Sequence, residues 1–290
     1  MNPWILGARP RTLPAAVVPV AVGTAAAVGE APVVAWRAGA ALVVALALQV
    51  GVNYANDYSD GARGTDADGA RVGPMRLVGS GLKPASAVKR AALASLGVAA
   101  LAGLGLAVAV GWELLAVGAL AIAAAWLYTG GPRPYGYAGF GELFVFVFFG
   151  LVATVGSTYV HTGSVTGLSV AVAVPVGLLS TALLVVNNLR DIPGDTASGK
   201  RTLAVRLGDG RTRVLYTLLM AAPFVMVPPI AAFGRIGAVA ALVGIPFGRR
   251  PVLSVLEGAT GQALIPVLGA TGRVQLIVGA ALSAGLWYSA

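Results

Sequence analysis

The sequence predicts an all-α integral membrane protein of about nine transmembrane helices around a central cavity, and three observations carry that prediction. The chain is 57% hydrophobic and only 11% charged, with a mean hydropathy of +0.83, whereas an ordinary soluble domain carries about 25% charged residues. A soluble protein of 290 residues has too little interior to hide so much apolar surface. The apolar residues also fall into nine runs, several of them close to the roughly 20 residues a helix needs to cross a bilayer. Finally, the basic residues concentrate in alternate connections between those runs. The whole chain, 1–290, is read as one transmembrane domain.

The first run, 13–28, follows Arg9 and Arg11 and has small residues at 24–27, the outline of a signal peptide. Pro14 and Pro19 interrupt it and eight further runs follow, so it is read as a retained first span. Run 38–52 is the second and leads into a polar cluster. Runs 91–110 and 114–128 are the third and fourth, and 143–160 is the fifth. Run 168–186 is the sixth and leads into a second polar cluster. Runs 214–233, 236–247 and 274–288 complete the set. Several are short as bounded and extend into their flanks. Run 236–247 is the weakest, and residues 257–272 fit either a plain loop or a re-entrant or amphipathic segment.

Nine crossings put the chain ends on opposite sides. With the N-terminus in the cytoplasm, all of the 20 basic residues except Arg37 and Arg235 fall on the inner side, which satisfies the positive-inside rule. Topology and anionic headgroups therefore account for the net charge of +9 without a nucleic-acid partner. Trp4, Trp36, Trp112, Trp287 and Tyr288 sit near span ends, as interfacial aromatics do. The absence of cysteine excludes a disulfide framework and a thiolate metal site. One histidine, His161, placed near the outer surface, argues against histidine-based catalysis or zinc.

The second and sixth runs each end in an acidic cluster on the inner side. The first holds Asn53, Asn56, Asp57, Asp60, Asp66 and Asp68; the second holds Asn187, Asn188, Asp191 and Asp195. The six aspartates are more than half of the eleven acidic residues, and carboxylates beside hydrocarbon are costly enough to imply use. Asn56 and Asp60 are four apart, as are Asn187 and Asp191, which puts each pair on one helix face. Asp191 and Asp195 share that spacing, although Pro193 and Gly194 predict a break in the helix there. The recurrence four spans later suggests a distant internal duplication. Beyond both clusters, in loops placed at about 53–90 and 187–213, glycines alternate with basic residues including Arg63, Arg71, Arg76, Lys83, Lys200 and Arg201. Oxygen ligands suit Mg²⁺, and Lys or Arg neutralises the remaining charge of a bridged diphosphate. The same residues also fit a set of salt bridges tying loops together at the membrane surface. A diphosphate site above an apolar bundle rich in Ala and Gly suits a substrate with a polar head and a lipid tail, such as a polyprenyl diphosphate.

The motifs Asn56-Asp57-x-x-Asp60 and Asp191-x-x-x-Asp195 resemble those of the UbiA-type intramembrane aromatic prenyltransferases. The likeness extends through Ala8 to Pro14, Tyr128 to Pro134 with Gly141-Glu142, Asn187 to Thr202, and Ala263 to Pro266. Gly130-Gly131-Pro132-Arg133 stands where benzoate-using relatives carry a Lys-Arg pair, and this favours the branch acting on 1,4-dihydroxy-2-naphthoate. One departure is Gly64, where the family has a third aspartate; Asp66 is expected to take that place. The resemblance implies a UbiA-type bundle that transfers a polyprenyl group to the naphthoate with loss of CO₂, in menaquinone biosynthesis, with Mg²⁺ required. It implies Asn56, Asp57, Asp60, Asp66, Asp191 and Asp195 as metal ligands, Asp57 alternatively orienting basic neighbours. Arg9, Arg11, Asn53, Arg63, Lys200 and Arg201 are implied for substrate binding, and Asp60, Asp191 and Tyr128 for the reaction centre. Arg9 and Arg11 also fit topology anchors, Tyr128 an interfacial belt residue, Glu142 a helix N-terminal charge and Lys83 a headgroup contact. Another aromatic acceptor, or a cation-coupled transporter with paired Asn and Asp on broken helices, are the competing readings.

Overall fold

The computed structural model describes residues 2–64 and 76–290, and every regular element in them is helical. In chain order these are α1 (Pro3–Ala8), α2 (Pro14–Ala27), α3 (Ala35–Ala62), α4 (Ala85–Val110) and α5 (Glu113–Leu127). Then come α6 (Gly141–Val145), a π segment (Phe146–Val152) and α7 (Ala153–Thr162), which form one continuous rod. They are followed by α8 (Gly167–Ala197), α9 (Leu203–Val225) and α10 (Val227–Ala231). A 3₁₀ segment (Ile236–Gly244) runs into α11 (Ile245–Leu256), and α12 (Leu264–Tyr288) ends the chain. Among the described residues, seven rods are long and apolar enough to cross a membrane, and α2 and α5 are shorter apolar helices between them. They follow the order of the nine expected runs, and the protein is a multi-pass membrane protein.

Residues 257–272 are not one separate segment. They form a tight turn and a short 3₁₀ step (Gly261–Ala263), and from Leu264 they belong to α12. The turn is closed by Glu257 and Gly258 N–H bonds to Leu253 and Val255 carbonyls. The expected break at Pro193 is also absent, since α8 continues to Ala197. Proline removes one helical hydrogen bond, and hydroxyls of the last turn hold the chain beyond it. Thr196 Oγ1 donates to Ile192 O at 2.8 Å and Ser198 Oγ to Gly194 O at 2.9 Å.

The lengths of α3 and α8 position the site. At about 1.5 Å per residue, the 28-residue α3 spans about 42 Å and the 31-residue α8 about 46 Å. Both exceed a hydrocarbon core of about 30 Å. Asn53 lies about 27 Å along α3 and Asn187 about 30 Å along α8, so the polar clusters occupy the last turns of two helices longer than the hydrocarbon core is thick.

Helix α8 is the most enclosed rod, packed on α9, the π segment, α12 and α2, whereas α4 turns much of its surface outward. Outward leucines and valines such as Leu101 (72% exposed) and Val225 (72%) are the lipid-facing surface. Glycine permits the closest approaches. A Cβ on Gly150 of the π segment would lie 2.5 Å from Gly177 Cα of α8, nearer than any side chain tolerates.

Contacts define two ends. At one, Lys83 lies over Trp4, Lys89 over Tyr58, and Arg63 bonds carbonyls of residues 129 and 131. At the other are the two arginines that depart from the basic-side pattern. Arg37 donates to Val160 O (3.0 Å) and Ala109 O (3.4 Å), and Arg235 donates to Val28 O and to Leu286 O (3.5 Å). All four carbonyls belong to helix C-terminal turns, which lack intrahelical donors and carry partial negative charge. His161 is buried at this end, where its Nδ1 accepts from Val34 N–H at 3.2 Å.

Candidate functional site

A cavity of about 540 Å³ runs between the rods. Its walls are mostly apolar, with Gln49, Ser157 and Ser180 among them, and become charged at one end, where the closing turns of α3 and α8 meet. Asn53, Asn56 and Asp60 line it from α3, and Asn187, Asp191 and Asp195 from α8. Spacings of three and four residues place each set on one helix face, and the unbroken last turn of α8 keeps Asp195 in line with Asp191.

Lys200, just past α8, joins the two sets. Its Nζ lies 3.1 Å from Asp60 Oδ1 and 4.6 Å from the Tyr137 ring centroid. Asp60, only 2% exposed, also takes a hydrogen bond from Arg76 Nη2 at 2.8 Å and one from the Tyr137 hydroxyl. On the opposite wall Arg190 grips Asp191 with two bonds, Nε to Oδ1 at 2.8 Å and Nη2 to Oδ2 at 2.7 Å, and reaches Asn187 Oδ1 at 2.9 Å. Thr202 Oγ1 donates to Asp195 Oδ2 at 3.4 Å. Arg9 completes the polar end. It has the left-handed backbone (φ 52°) that side chains rarely adopt, at the join between α1 and the following turn, and its side chain lines the cavity. Asn53 secures that turn by donating to Ala8 O (2.9 Å) and Thr12 Oγ1 (3.1 Å).

Other expected site residues lie outside the cavity. Both oxygens of Asp57 are occupied by backbone, accepting Leu77 N–H at 2.8 Å and Val78 N–H at 3.0 Å. Arg63 is exposed, and it braces the 129–137 loop through the Thr129 and Gly131 carbonyls and the face of Tyr137. Arg201 is exposed and gives its backbone N–H to Tyr137 O at 2.9 Å; Arg11 is exposed as well. Asp66 lies outside the described residues. Arg190, Thr129 and Tyr137 join the site without being among the residues the motifs imply, and Arg76 is implied only as one of the loop cations. Thr129 donates to Asn56 Oδ1 at 2.8 Å. Arg190 adjoins Asp191 in sequence, which was a usable signal; Arg76 was one of several basic residues in a glycine-rich loop.

Tyr128 follows the last turn of α5 and lines the cavity. Tyr137 stays a neutral phenol, because burial and, after it, the Asp60 carboxylate push its pKa upward.

Among the described residues the charged lining is Arg9, Arg76, Arg190 and Lys200 against Asp60, Asp191 and Asp195, a cationic excess that suits a polyanion. The neutral and acidic ligands are all oxygen donors, the class a hard cation prefers. Among the described residues no three acids or histidines converge by themselves, and Asp60 and Asp191 each face a basic side chain. A metal ion would take over from those cations as counter-charge, which frees them for a phosphate. This donor set fits Mg²⁺. Cation-coupled transport calls for a site near the bilayer midplane, and these carboxylates lie instead in the last turns of two long helices.

The sequence profile of the UbiA prenyltransferase family matches residues 16–249. The 1,4-dihydroxy-2-naphthoate octaprenyltransferase of Mycobacterium tuberculosis is 53% identical over 283 residues, covering 98% of this chain and 96% of the relative. Among solved structures, the apo UbiA homolog of Aeropyrum pernix superposes with a TM-score of 0.72 at 17% identity, covering 94% of this chain and 95% of that one. The UbiA homolog of Archaeoglobus fulgidus bound to GPP and Mg²⁺ superposes with a TM-score of 0.66 at 15% identity, covering 97% and 100%.

Proposed function

The chain belongs to the UbiA prenyltransferase family, and from that premise we infer that it transfers a polyprenyl group from its diphosphate to 1,4-dihydroxy-2-naphthoate. The products are demethylmenaquinol, CO₂ and diphosphate, a step of menaquinone biosynthesis; the quinol is recovered as demethylmenaquinone once air oxidises it. Near full-length similarity to a relative of that name supports the acceptor. The observation that carries the chemistry is the 3.1 Å Lys200–Asp60 contact, which joins both acidic motifs across the polar end of one apolar cavity.

The allylic C–O bond breaks with its electron pair leaving on diphosphate. A C–C bond forms at the ring carbon bearing the carboxylate, which departs as CO₂. The barrier lies in separating charge, so electrostatic stabilisation of the leaving group is the main demand. Arg76, Lys200, Arg190 and Arg9 supply fixed positive charge where the diphosphate oxygens would sit. Asp60, Asp191 and Asp195, with Asn56 and Asn187, would hold Mg²⁺, and Asp66 is kept as a further ligand by its place in the motif. When bound, Mg²⁺ supplies neutralisation of the leaving diphosphate. Asp57 anchors the 77–78 backbone and acts through position, and Asn53 does the same for Arg9. Tyr128 borders the reaction centre. The apolar walls take the prenyl tail and exclude water from the allylic cation.

In this reading residues 1–290 form one transmembrane prenyltransferase domain of a bacterial cell membrane, with the N-terminus and the site facing the cytoplasm. The one-sided basic residues support that orientation.

Protein in nanodiscs, supplied with dihydroxynaphthoate, a long-chain prenyl diphosphate and Mg²⁺, is expected to form demethylmenaquinone, and EDTA is expected to stop it. Asp60→Asn and Asp191→Asn should each lower kcat by about 100-fold or more, the scale of losing a major electrostatic group. Full turnover in both variants would refute the site.

A further inference from the structure

The cavity has two unlike walls. Helices α3, α4 and α5, which pack on one another, contribute small or aliphatic side chains, among them Ala45, Gly103, Gly118 and Ala121. The other wall is aromatic. Tyr128, Tyr135, Phe144 and Phe148 all line the cavity and touch in sequence. Tyr128 meets Tyr135 edge-on (centroids 5.5 Å), Tyr135 stacks on Phe144 (3.9 Å), and Phe144 stacks on Phe148 (6.0 Å). Phe144 belongs to α6 and Phe148 to the π segment Phe146–Val152 that continues it, a rare conformation often found at functional sites. Its wider turn, closed by i→i+5 bonds, lets Phe148, Phe149, Val152 and Ala153 all face the cavity.

We propose that the two walls sort the two substrates: the prenyl tail lies along α3–α5, and the planar bicyclic acceptor docks on the Tyr128–Tyr135–Phe144–Phe148 wall. This rests on the prenyl-transfer reading above. Aromatic rings attract one another by stacked or edge contacts beyond simple area burial, whereas a flexible isoprenoid gains from small residues that make room. The aromatic wall begins at Tyr128, beside the polar end where the reacting carbons must meet. Asn188 lines the cavity, and its Nδ2 donates to buried Glu142 Oε1 at 2.9 Å. With the amide N–H given to Glu142, Asn188 Oδ1 is left to accept a ring hydroxyl. Glu142 is thereby a positioning residue.

The test is equilibrium binding to full-length protein in nanodiscs with Mg²⁺, using 1-hydroxy-2-naphthoate and geranylgeranyl diphosphate separately as probes. Phe144→Leu and Phe148→Leu should each weaken hydroxynaphthoate binding roughly three- to tenfold and leave the diphosphate probe within about twofold. Phe144→Tyr, which keeps the ring, should retain affinity. Gly118→Leu is the reciprocal variant. Nothing lies within 4 Å of a Cβ built there, so the side chain starts into open space, and it should weaken only the diphosphate probe. Asn188→Ala should weaken 1-hydroxy-2-naphthoate and spare 2-naphthoate, which has no hydroxyl. Equal losses for both probes in the Phe variants, or unchanged naphthoate affinity, would overturn the sorting of walls. Failure of the wild type to make demethylmenaquinone would instead overturn the prenyl-transfer reading.

Discussion

Asp57 and Asp60 are one turn apart and alike in sequence, yet they do different work. Asp57 spends both oxygens on Leu77 and Val78 N–H groups, while Asp60 faces the cavity between Arg76 and Lys200. Asparagine at 57 has one accepting oxygen and leaves one buried N–H unmet, which costs about 1–3 kcal/mol. Asp57→Asn is therefore expected to lower the melting temperature while leaving the Mg²⁺ concentration for half-maximal rate unchanged, whereas Asp60→Asn raises that concentration. A titration of rate against Mg²⁺ in both variants separates the roles. Spacing alone shows that both carboxylates sit at a helix end; it does not show which one the following loop folds back upon, because that depends on contacts twenty residues away. Tyr137 was hidden for the same reason, since its loop reaches Asp60 only in the folded chain. Its phenol pKa is raised, by burial first and by Asp60 second. A raised native pKa gives a contribution to stability that is complete below about pH 10 and declines only as pH climbs towards the native value. Tyr137→Phe should accordingly lower the plateau of the pH–rate profile between about pH 6 and 9 without adding or removing a limb.

Helices were legible as apolar runs, but their local irregularities were not. Pro193 reads as a helix breaker, yet the chain continues because the Thr196 and Ser198 hydroxyls supply bonds that a backbone rule does not count. The π segment is invisible in Phe-Val-Phe-Phe-Gly, which reads as an ordinary stretch of span. What selects it is tertiary. Gly150 must approach Gly177 of α8 while the phenylalanines around it face the cavity. Gly150→Ala would put a methyl 2.5 Å from Gly177 Cα, against backbone that cannot rotate away. Overpacking of this kind costs about 1–3 kcal/mol. The variant should melt several degrees lower, and its hydroxynaphthoate affinity should fall together with the phenylalanine geometry. A melt and a binding isotherm on the same preparation check both halves of that expectation.

The molecule as a whole is organised by sidedness. One end carries the last turns of α3 and α8 with their acids and cations. The other holds Arg37 and Arg235, whose charges are absorbed by helix C-terminal carbonyls. That capping explains how the only two departures from the basic-side pattern persist: each guanidinium secures the ends of two helices at once. The sequence supplied the polarity through charge distribution, and the contacts supply its reason. The native chain has no cysteine, so single cysteines report topology without any background substitution. Val165, 64% exposed in the turn between α7 and α8, marks the end away from the acids, and exposed Arg133 in the 129–140 connection marks the acidic end. In intact cells a membrane-impermeant maleimide should label Val165→Cys and leave Arg133→Cys untouched; in inverted vesicles the pattern should reverse. The opposite result would turn the diphosphate site away from the cytoplasm, and a charged polyprenyl donor made in the cytoplasm could then reach it only by first crossing the bilayer.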